Sequence, residues 1–239
     1  MDVLKFGGTS VGSADTIRRV VDIISDSANP KIVVLSAMSG VTNLLVGLHQ
    51  AALIQDRDTI EKIMEALTEK HHHAIDELFT EAAKQPVLDQ INGMLESIYE
   101  IAVAPLKPTS YAELVTYGET LLTTIFSNYL TQQGLQNILL DAKTFMHVGS
   151  TENPNVGRVA DLLKSQLEKH THDRLFITQG FVCLDEDQSI STLKRGGSDF
   201  SATIIGAAIN ATAVQIWTDI DGLHNNDPRY VDETRPIEH

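Results

Sequence analysis

The chain has 239 residues, of which 42% are hydrophobic and 21% are charged, so it can bury a sizeable core as one large domain or two small ones. Its formal net charge is −14 at neutral pH, and no segment of the sequence is rich in Lys or Arg. This charge argues against a nucleic-acid partner. An anionic ligand therefore requires a local positive site in an acidic protein.

Cysteine content and hydrophobic patterning indicate the compartment. The one cysteine, Cys183, cannot form an internal disulfide, which suits a reducing environment. Lys5 interrupts the first residues before an apolar signal segment could form, and no apolar run reaches the length of about 18 residues that a membrane span needs. We therefore expect a cytoplasmic protein without a membrane span.

The first 25 residues predict a strand, a glycine turn and a helix. Residues 3–6 form an apolar run that includes Lys5, then Gly7 and Gly8 follow, and apolar residues recur at helical spacing from Ser13 onward. The N–H groups of the glycines and the positive end of the helix dipole make such a turn an anion site, and Lys5 adds a charge suited to phosphate. The alternative is an ordinary turn with a solvated lysine.

The next segments predict a second unit of the same kind and then a region of helices. Residues 31–36 indicate a buried strand, followed by a turn of small residues and a helix from about Leu44. From about residue 56 to 104, helical patterns continue without a strand signal, which predicts a helical insertion. The histidine triplet at residues 71–73 points in three directions on a helix, so we expect solvated or half-packed histidines rather than a metal site.

A strong helical pattern follows, with Ser110 as the expected cap and Gly134 as the expected end. Glu119 lies among the apolar positions of this helix, directly after Gly118. A carboxylate on a buried face needs a partner, so Glu119 is a candidate for ligand binding or for a structural pair.

The second half of the chain alternates strands and helices. We expect a strand at residues 137–141, a loop at 144–155, a helix at 156–170, a strand at 175–178 and a hairpin-like excursion at 181–193. Such alternation predicts an α/β fold with a mostly parallel sheet and helices on both faces.

A third glycine turn carries charges of both signs. Arg195, Gly196 and Gly197 lead into a helical pattern with Asp199 in its first turn, and a further strand is expected at residues 214–217. The carboxyl ends of parallel strands meet at one edge of a sheet, so the glycine turns are expected to converge there. Together they supply two cations and several helix amino termini, which suits a polyphosphate bound beside a carboxylate.

Familiar nucleotide and hydrolase motifs are absent from the sequence. Gly7 and Gly12 have the glycine spacing of a P-loop, but no lysine follows, and no G-x-G-x-x-G, G-x-S-x-G or H-E-x-x-H occurs. Phosphoryl transfer needs mainly positioning and charge neutralisation, and a carboxylate acceptor is already ionised at neutral pH. The lack of an obvious catalytic histidine is therefore compatible with a kinase that acts on a carboxylate.

Five separated motifs carry a resemblance to a known family: Lys5-Phe-Gly-Gly-Thr-Ser, Ser36-Ala-Met-Ser-Gly-Val-Thr-Asn, Tyr117-Gly-Glu, Arg195-Gly-Gly-Ser-Asp-Phe-Ser-Ala and Trp217-Thr-Asp-Ile-Asp-Gly…Asp227-Pro-Arg229. In this order they resemble the aspartokinases of the amino acid kinase superfamily. The resemblance implies a three-layer αβα sandwich and transfer of the ATP γ-phosphoryl group to the β-carboxylate of L-aspartate. The product would be aspartyl phosphate, the first step toward lysine, threonine and methionine. Mg²⁺ would arrive with ATP rather than at a protein-built metal site, and a homodimer is expected.

The resemblance also assigns roles to individual residues. It implies that Lys5, Gly7 and Gly8 hold the ATP phosphates, and that Lys5 and Asp199 are catalytic. The other nucleotide-binding positions are Thr218, Asp219, His224 and Arg229, with a tyrosine being usual in the family where His224 stands. The amino-acid-binding positions are Thr42, Glu119, Arg195, Gly196, Gly197 and Ser198.

Physical chemistry agrees with these roles and also offers structural alternatives. Arg195 can hold an α-carboxylate through two parallel hydrogen bonds, Glu119 can pair with an α-ammonium group, and Asp199 can orient the lysine. The structural alternatives are a first-turn dipole partner for Asp199, a turn former for Asp219 and a surface loop residue for His224.

The family pattern extends beyond this sequence, into a further lysine that contacts ATP, regulatory ACT domains and, in some members, a fused homoserine dehydrogenase. We therefore expect residues 1–239 to be a catalytic domain truncated at its carboxyl end. Two alternatives for function remain at this point. One is a related kinase that acts on glutamate, acetylglutamate, carbamate or UMP, and the other is a non-catalytic sensor of amino acids or nucleotides on the same fold.

Overall fold

The computed structural model describes residues 1–26, 28–194, 196–218, 225–226, 231 and 233–235. The elements in chain order are β1 (Asp2–Phe6), α1 (Ala14–Ser25), β2 (Lys31–Leu35), α2 (Val41–Leu53), α3 (Arg57–Leu78), α4 (Glu81–Val103), α5 (Ser110–Gln132), β3 (Ile138–Leu140), β4 (His147–Gly149), α6 (Val156–Leu167), β5 (Leu175–Gln179), β6 (Val182–Asp185), β7 (Ile190–Thr192), α7 (Gly197–Ala208) and β8 (Ala213–Trp217). Short 3₁₀ turns at Ala142–Thr144 and Glu168–His170 complete the described part.

The main sheet is parallel throughout the described residues. Its five strands lie in the order β3-β5-β2-β1-β8, and β1 therefore has a partner on each side. Lys5 is in register with Val34 of β2 and with Ile216 of β8. A residue near the carboxyl end of β1 is consequently close to the turns that follow both neighbouring strands.

Helices cover both faces of this sheet. Successive side chains of each strand point to opposite faces, so each inner strand contributes to two separate cores. Leu4 and Phe6 of β1 join the larger core, which they share with α1 to α5. Val3 of the same strand joins the second core, which it shares with α6 and α7. The result is a three-layer αβα sandwich, as predicted.

The predicted helical insertion consists of α3 and α4, which pack against α2 and α5. The expectation for the histidine triplet was wrong at one position. His71 is fully buried in the core face of α3, whereas His72 is half-buried and His73 is exposed. The helix α3 packs against α1, α2, α4 and α5. His71 is buried in this packing, although its charged neighbours in the sequence suggested a solvated position. The described residues contain no cluster of three or more His, Cys, Asp or Glu side chains that could hold a metal ion.

Two further expectations differ from the structure. The predicted loop at residues 144–155 contains β4, which pairs in parallel with β6 of the confirmed β6–β7 hairpin. Three residues are too few for an alternating pattern to be visible in the sequence. The amino-terminal cap of α5 is Thr109 rather than Ser110, whose hydroxyl group instead accepts a hydrogen bond from the Lys107 N–H group at 2.9 Å. None of the described helices is long and apolar enough to span a membrane.

Candidate active site

The turns that follow β1 and β2 are in direct contact at the carboxyl edge of the sheet. The Ser39 N–H group donates a hydrogen bond to the Gly8 carbonyl oxygen at 3.1 Å. A Cβ atom on Gly8 would lie 2.8 Å from the carbonyl oxygen of Ala37, closer than side chains pack. Glycine at position 8 is therefore required for the two turns to meet.

A cavity of about 360 Å³ opens where these turns meet the amino end of α7. Its walls come from β1, the β2–α2 turn, α5, the segment after β5 and the start of α7. The lining residues are Lys5, Gly8, Ser36, Ala37, Met38, Ser39, Gly40, Thr42, Glu119, Phe181, Gly196, Gly197, Ser198 and Asp199. The cavity thus brings together Lys5, Gly8 and Asp199 with five of the six predicted amino-acid-binding positions.

Lys5 and Asp199, the two predicted catalytic residues, form an ion pair inside this cavity. The distance between Lys5 Nζ and Asp199 Oδ1 is 2.7 Å. The lysine is only 8% exposed, because β1 is an inner strand and its side chain points toward the face that α7 covers. Asp199 lies in the first turn of α7, near the positive end of the helix dipole.

Two helices direct their amino ends into the cavity. Both α2 and α7 begin after a glycine, Gly40 and Gly196, each with a φ of 82°, and neither helix has a side-chain cap. Side chains cap α1 and α6 through Ser13 and Asn155, whereas α4 and α5, whose first residues do not line the cavity, also lack a side-chain cap. The uncapped N–H groups and the positive dipole ends of α2 and α7 are therefore available to anions in the cavity.

Glu119 is a carboxyl group in the cavity wall without a counter-charge in the described residues. It is 2% exposed, its Oε1 atom accepts a hydrogen bond from the Ala37 N–H group at 3.2 Å, and its Oε2 atom has no hydrogen-bond partner among them. Burial raises the pKa of Glu119 to about 8, while the bond from Ala37 acts in the opposite direction. Such a group is suited to receive a cationic part of a ligand.

The remaining predicted positions are described only in part. Thr42 is half-buried at the amino end of α2 and lines the cavity. Thr218 follows β8 directly, and because Phe6 is in register with Trp217, Gly7 and Thr218 leave the sheet side by side. Arg195, Asp219, His224 and Arg229 lie outside the described residues.

Phe181 is a lining residue that the sequence reasoning missed. It follows Gly180 at the end of β5, and its φ of 67° lies in the left-handed region that favours glycine. A strand that ends in Gln-Gly before an aromatic residue was visible in the sequence, but it indicated only the start of a hairpin. The backbone conformation and the position in the cavity wall required the structure.

Comparison with known proteins identifies the family. The model of the Amino acid kinase family matches residues 2–239. The chain belongs to the amino acid kinase family. In this structure, glycine-containing turns at Gly8, Gly40 and Gly196 meet at one edge of a parallel sheet, and the sequence contains no P-loop.

Within the amino acid kinase family, the resemblance to aspartokinases is confirmed. Lysine-sensitive aspartokinase 3 of Escherichia coli is 34% identical over 99% of this chain and 53% of its own length. A bifunctional chloroplastic aspartokinase/homoserine dehydrogenase 2 of Arabidopsis thaliana is 33% identical over 97% of this chain and 26% of its own length. The solved structure of E. coli aspartokinase III in complex with aspartate and ADP superposes with a TM-score of 0.90 at 32% identity, covering 100% of this chain and 53% of that one. The chain therefore spans about half or less of the length of these relatives.

Proposed function

We propose that the protein transfers the γ-phosphoryl group of ATP to the β-carboxylate of L-aspartate. The observation that carries the proposal is the charge pattern of the cavity. The described wall offers one carboxyl group without a counter-charge, Glu119, together with two uncapped helix amino ends and Lys5. Aspartate has the complementary set of one ammonium and two carboxylate groups. The similarity to an aspartokinase solved with aspartate and ADP supports the same conclusion.

The proposed pose follows from this pattern. Glu119 receives the α-ammonium group, because a cation is the partner that its unpaired oxygen lacks. The amino end of α7, with Gly197 and Ser198, receives the α-carboxylate with the help of Arg195, whose role rests on the family resemblance. The β-carboxylate then faces Lys5, with Thr42 at the amino end of α2 beside it.

Lys5 and Asp199 perform the electrostatic part of the reaction. An oxygen of the acceptor carboxylate forms a bond to the γ-phosphorus, while the bond from that phosphorus to the departing ADP oxygen breaks. Lys5 neutralises negative charge on the group in transit, and Asp199, at 2.7 Å, holds the ammonium group of Lys5 in place. The acceptor is already ionised, so no general base is required.

The nucleotide is proposed to lie along the β1–α1 turn. Gly7 lies beside the ammonium group of Lys5, because a Cβ atom on Gly7 would be 3.5 Å from Lys5 Nζ, and Thr218 follows the strand residue that pairs with Phe6. The backbone N–H groups of Gly7 and Gly8 are the proposed phosphate contacts. Mg²⁺ is proposed to enter with ATP, held mainly by phosphates and water. The homodimer and the cytoplasmic location remain predictions, and light scattering on the purified protein tests the first of them.

The decisive test is formation of an acyl phosphate that depends on Mg·ATP and is trapped with hydroxylamine. Because this chain covers 53% of one relative and 26% of another, the assay uses both this chain and the complete product of its gene. Aspartate, glutamate and acetylglutamate are compared, and Arg195→Ala and Glu119→Gln serve as site variants. Glu113→Gln is the matched control, because Glu113 lies on the same helix but accepts a hydrogen bond from Thr109 outside the cavity.

Product with aspartate alone, lost in both site variants and kept in the control, would support the proposal. Product with another acid from the complete protein would assign that acid instead. Binding of aspartate without ADP formation by the complete protein would contradict catalysis and favour a sensor.

A further inference from the structure

The segment after β5 is tied to α7 by unusual backbone geometry. Phe181 occupies the left-handed region at φ 67°, which a residue other than glycine adopts only when its surroundings hold it there. Two hydrogen bonds provide this restraint. The Phe181 N–H group donates to Ser201 Oγ at 2.8 Å, and the Phe181 carbonyl oxygen accepts from the Leu193 N–H group at 2.8 Å. Ser201 Oγ in turn donates to the Gly197 carbonyl oxygen at 2.9 Å, so the restraint reaches the first residue of α7.

Two glycines allow the segment after β5 and the start of α7 to pack closely against each other. A Cβ atom on Gly197 would lie 2.7 Å from Cδ2 of the Phe181 ring, and a Cβ atom on Gly180 would lie 2.6 Å from Cβ of Ser198. The ring therefore rests on the bare backbone of Gly197, while Ser198 rests on the bare backbone of Gly180. These two packing contacts hold the amino end of α7 against the end of β5, within the cavity wall.

The same segment also reaches the helix that carries Glu119. The side-chain amide of Gln179 donates to Thr123 Oγ1 at 2.8 Å, and the Thr123 hydroxyl group donates to the Glu119 carbonyl oxygen at 2.8 Å. The oxygen of the Gln179 amide accepts from the Ala142 N–H group at 2.8 Å, so the side chain is held at both ends. Residues 179–181 thus connect α5 with α7, which both contribute residues to the cavity wall.

We infer that Phe181 is a positioning residue for substrate selection, which sets the separation between the amino end of α7 and Glu119. The inference rests on the proposed function, in which α7 meets a carboxylate and Glu119 meets the ammonium group of one amino acid. Because the amino end of α7 and Glu119 both bind groups on the α-carbon, holding them in place fixes the distance from that carbon to Lys5, and this distance suits one side-chain length. Loss of the ring would let the amino end of α7 shift and would weaken the preference for aspartate over glutamate.

A merely structural role predicts a different result. If the Phe181 ring only filled space, its removal would lower the stability of the protein and change the KM for aspartate and the KM for ATP together. A positioning role changes the KM for the amino acid and the ratio between the two acids, because the nucleotide is proposed to lie along the β1–α1 turn. Movement of Asp199 with α7 would act through Lys5 on the kcat for both acids alike. The KM for aspartate and the aspartate-to-glutamate ratio of kcat/KM therefore distinguish the two roles.

The test compares Phe181→Leu and Phe181→Tyr in the complete protein with Phe79→Leu as the matched control. Phe79 is a buried aromatic residue of the helical region, packed edge-on against Tyr129 and outside the cavity. We expect Phe181→Leu to raise the KM for aspartate by about tenfold and to lower the aspartate-to-glutamate ratio by a similar factor. The KM for ATP should stay within about twofold, and Phe181→Tyr should restore the wild-type values because it keeps the ring.

The inference is overturned if Phe181→Leu leaves the KM for aspartate unchanged, or if it shifts the KM for aspartate and the KM for ATP by the same factor. Should Phe181→Leu fail to fold, Thr123→Val decides, because it removes the hydroxyl link to Glu119 with little change in shape. An unchanged KM for aspartate in that variant would equally overturn the inference. A wild-type protein that makes no aspartyl phosphate would instead contradict the proposed function, so the two failures are distinguishable.

Discussion

Gly118 lies so close to Ala37 that a Cβ atom on the glycine would stand 2.8 Å from the Cβ atom of the alanine. The side chains of Leu45 and Val41 would each be 3.3 Å away. The bare backbone at this point lets α5 approach the β2–α2 turn, and the next residue, Glu119, then accepts the Ala37 N–H hydrogen bond. One missing methyl group therefore places the carboxyl group in the cavity wall.

Replacing Gly118 with alanine should displace α5 from the turn. We expect Gly118→Ala to lower the free energy of unfolding by about 1–3 kcal/mol, because the new methyl group has no space, and to raise the KM for aspartate. Urea unfolding and steady-state kinetics measure the two effects. Gly93→Ala is the control, since Gly93 is exposed and a Cβ atom there would have nothing within 4 Å, and it should stabilise the protein by about 0.5–1 kcal/mol. Equal behaviour of the two variants would contradict the role of Gly118.

Lys5→Ala should abolish most of the catalytic rate while the protein remains folded. We expect kcat to fall by about 100-fold or more, because the lysine stabilises charge that develops only in the transition state. Asp199→Asn should lower kcat by a smaller factor, and the double variant should be little worse than Lys5→Ala, because the aspartate acts partly through the lysine. Lys84→Ala, which removes a lysine paired with Asp76 and Glu81 in the helical region, should retain activity. Full additivity of the two site variants would show that they act separately.

Aspartate binding should release a proton from Glu119. Burial raises the pKa of this carboxyl group to about 8, so at neutral pH the protein without substrate mostly keeps the proton, whereas pairing with an ammonium group requires the ionised form. Affinity should therefore rise with pH up to about 8, by less than tenfold per pH unit. Isothermal titration calorimetry at neutral pH, in two buffers of different ionisation enthalpy, measures the proton. Succinate, which lacks the ammonium group, and Glu119→Gln should show no release, and a buffer-independent heat with aspartate would contradict the prediction.

His71 should make the protein sensitive to acid. Its Nδ1 atom donates to the Leu67 carbonyl oxygen at 2.6 Å, its Nε2 atom has no partner among the described residues, and burial lowers its pKa to about 4. The unfolded chain binds a proton near pH 6.5, so the stability due to His71 is present above about pH 6.5 and is lost as the pH falls toward 4, by up to about 1.4 kcal/mol per unit.

The variant His71→Leu removes this titration and isolates the contribution of His71. Urea unfolding between about pH 4 and 7 should show a shallower pH dependence for the variant than for the wild type. His73→Gln is the control, because it replaces an exposed histidine on the same helix. A variant His71→Leu with the wild-type slope would assign the acid sensitivity to other groups.

Local patterns in the sequence predicted most of the architecture. Each strand, glycine turn and helix unit has its signals within about 30 residues, and parallel strands bring such turns to one edge, so the approach of Lys5 to Asp199 was foreseeable. Glu119 was conspicuous because a carboxylate interrupts an apolar helix face. These features depend on periodicity and on residue type, which the sequence displays directly.

Other features depend on packing between distant segments and were not foreseeable. The burial of His71 results from four helices meeting, although its sequence neighbours are polar. The left-handed backbone of Phe181 results from hydrogen bonds to α7 and to Leu193, far along the chain. The three residues of β4 acquire strand structure only through their partner β6. In each case the decisive neighbour is absent from the local sequence.

The central position of β1 has a consequence for biosynthesis. This strand precedes one of its two partners, β8, and the ion-pair partner of Lys5 by most of the described chain. Until β8 has been synthesised, one edge of this apolar strand lacks its partner. Lys5 and Asp199 can meet only after α7 has been made, so folding depends on contacts between distant segments and is expected to be slow and to benefit from chaperones.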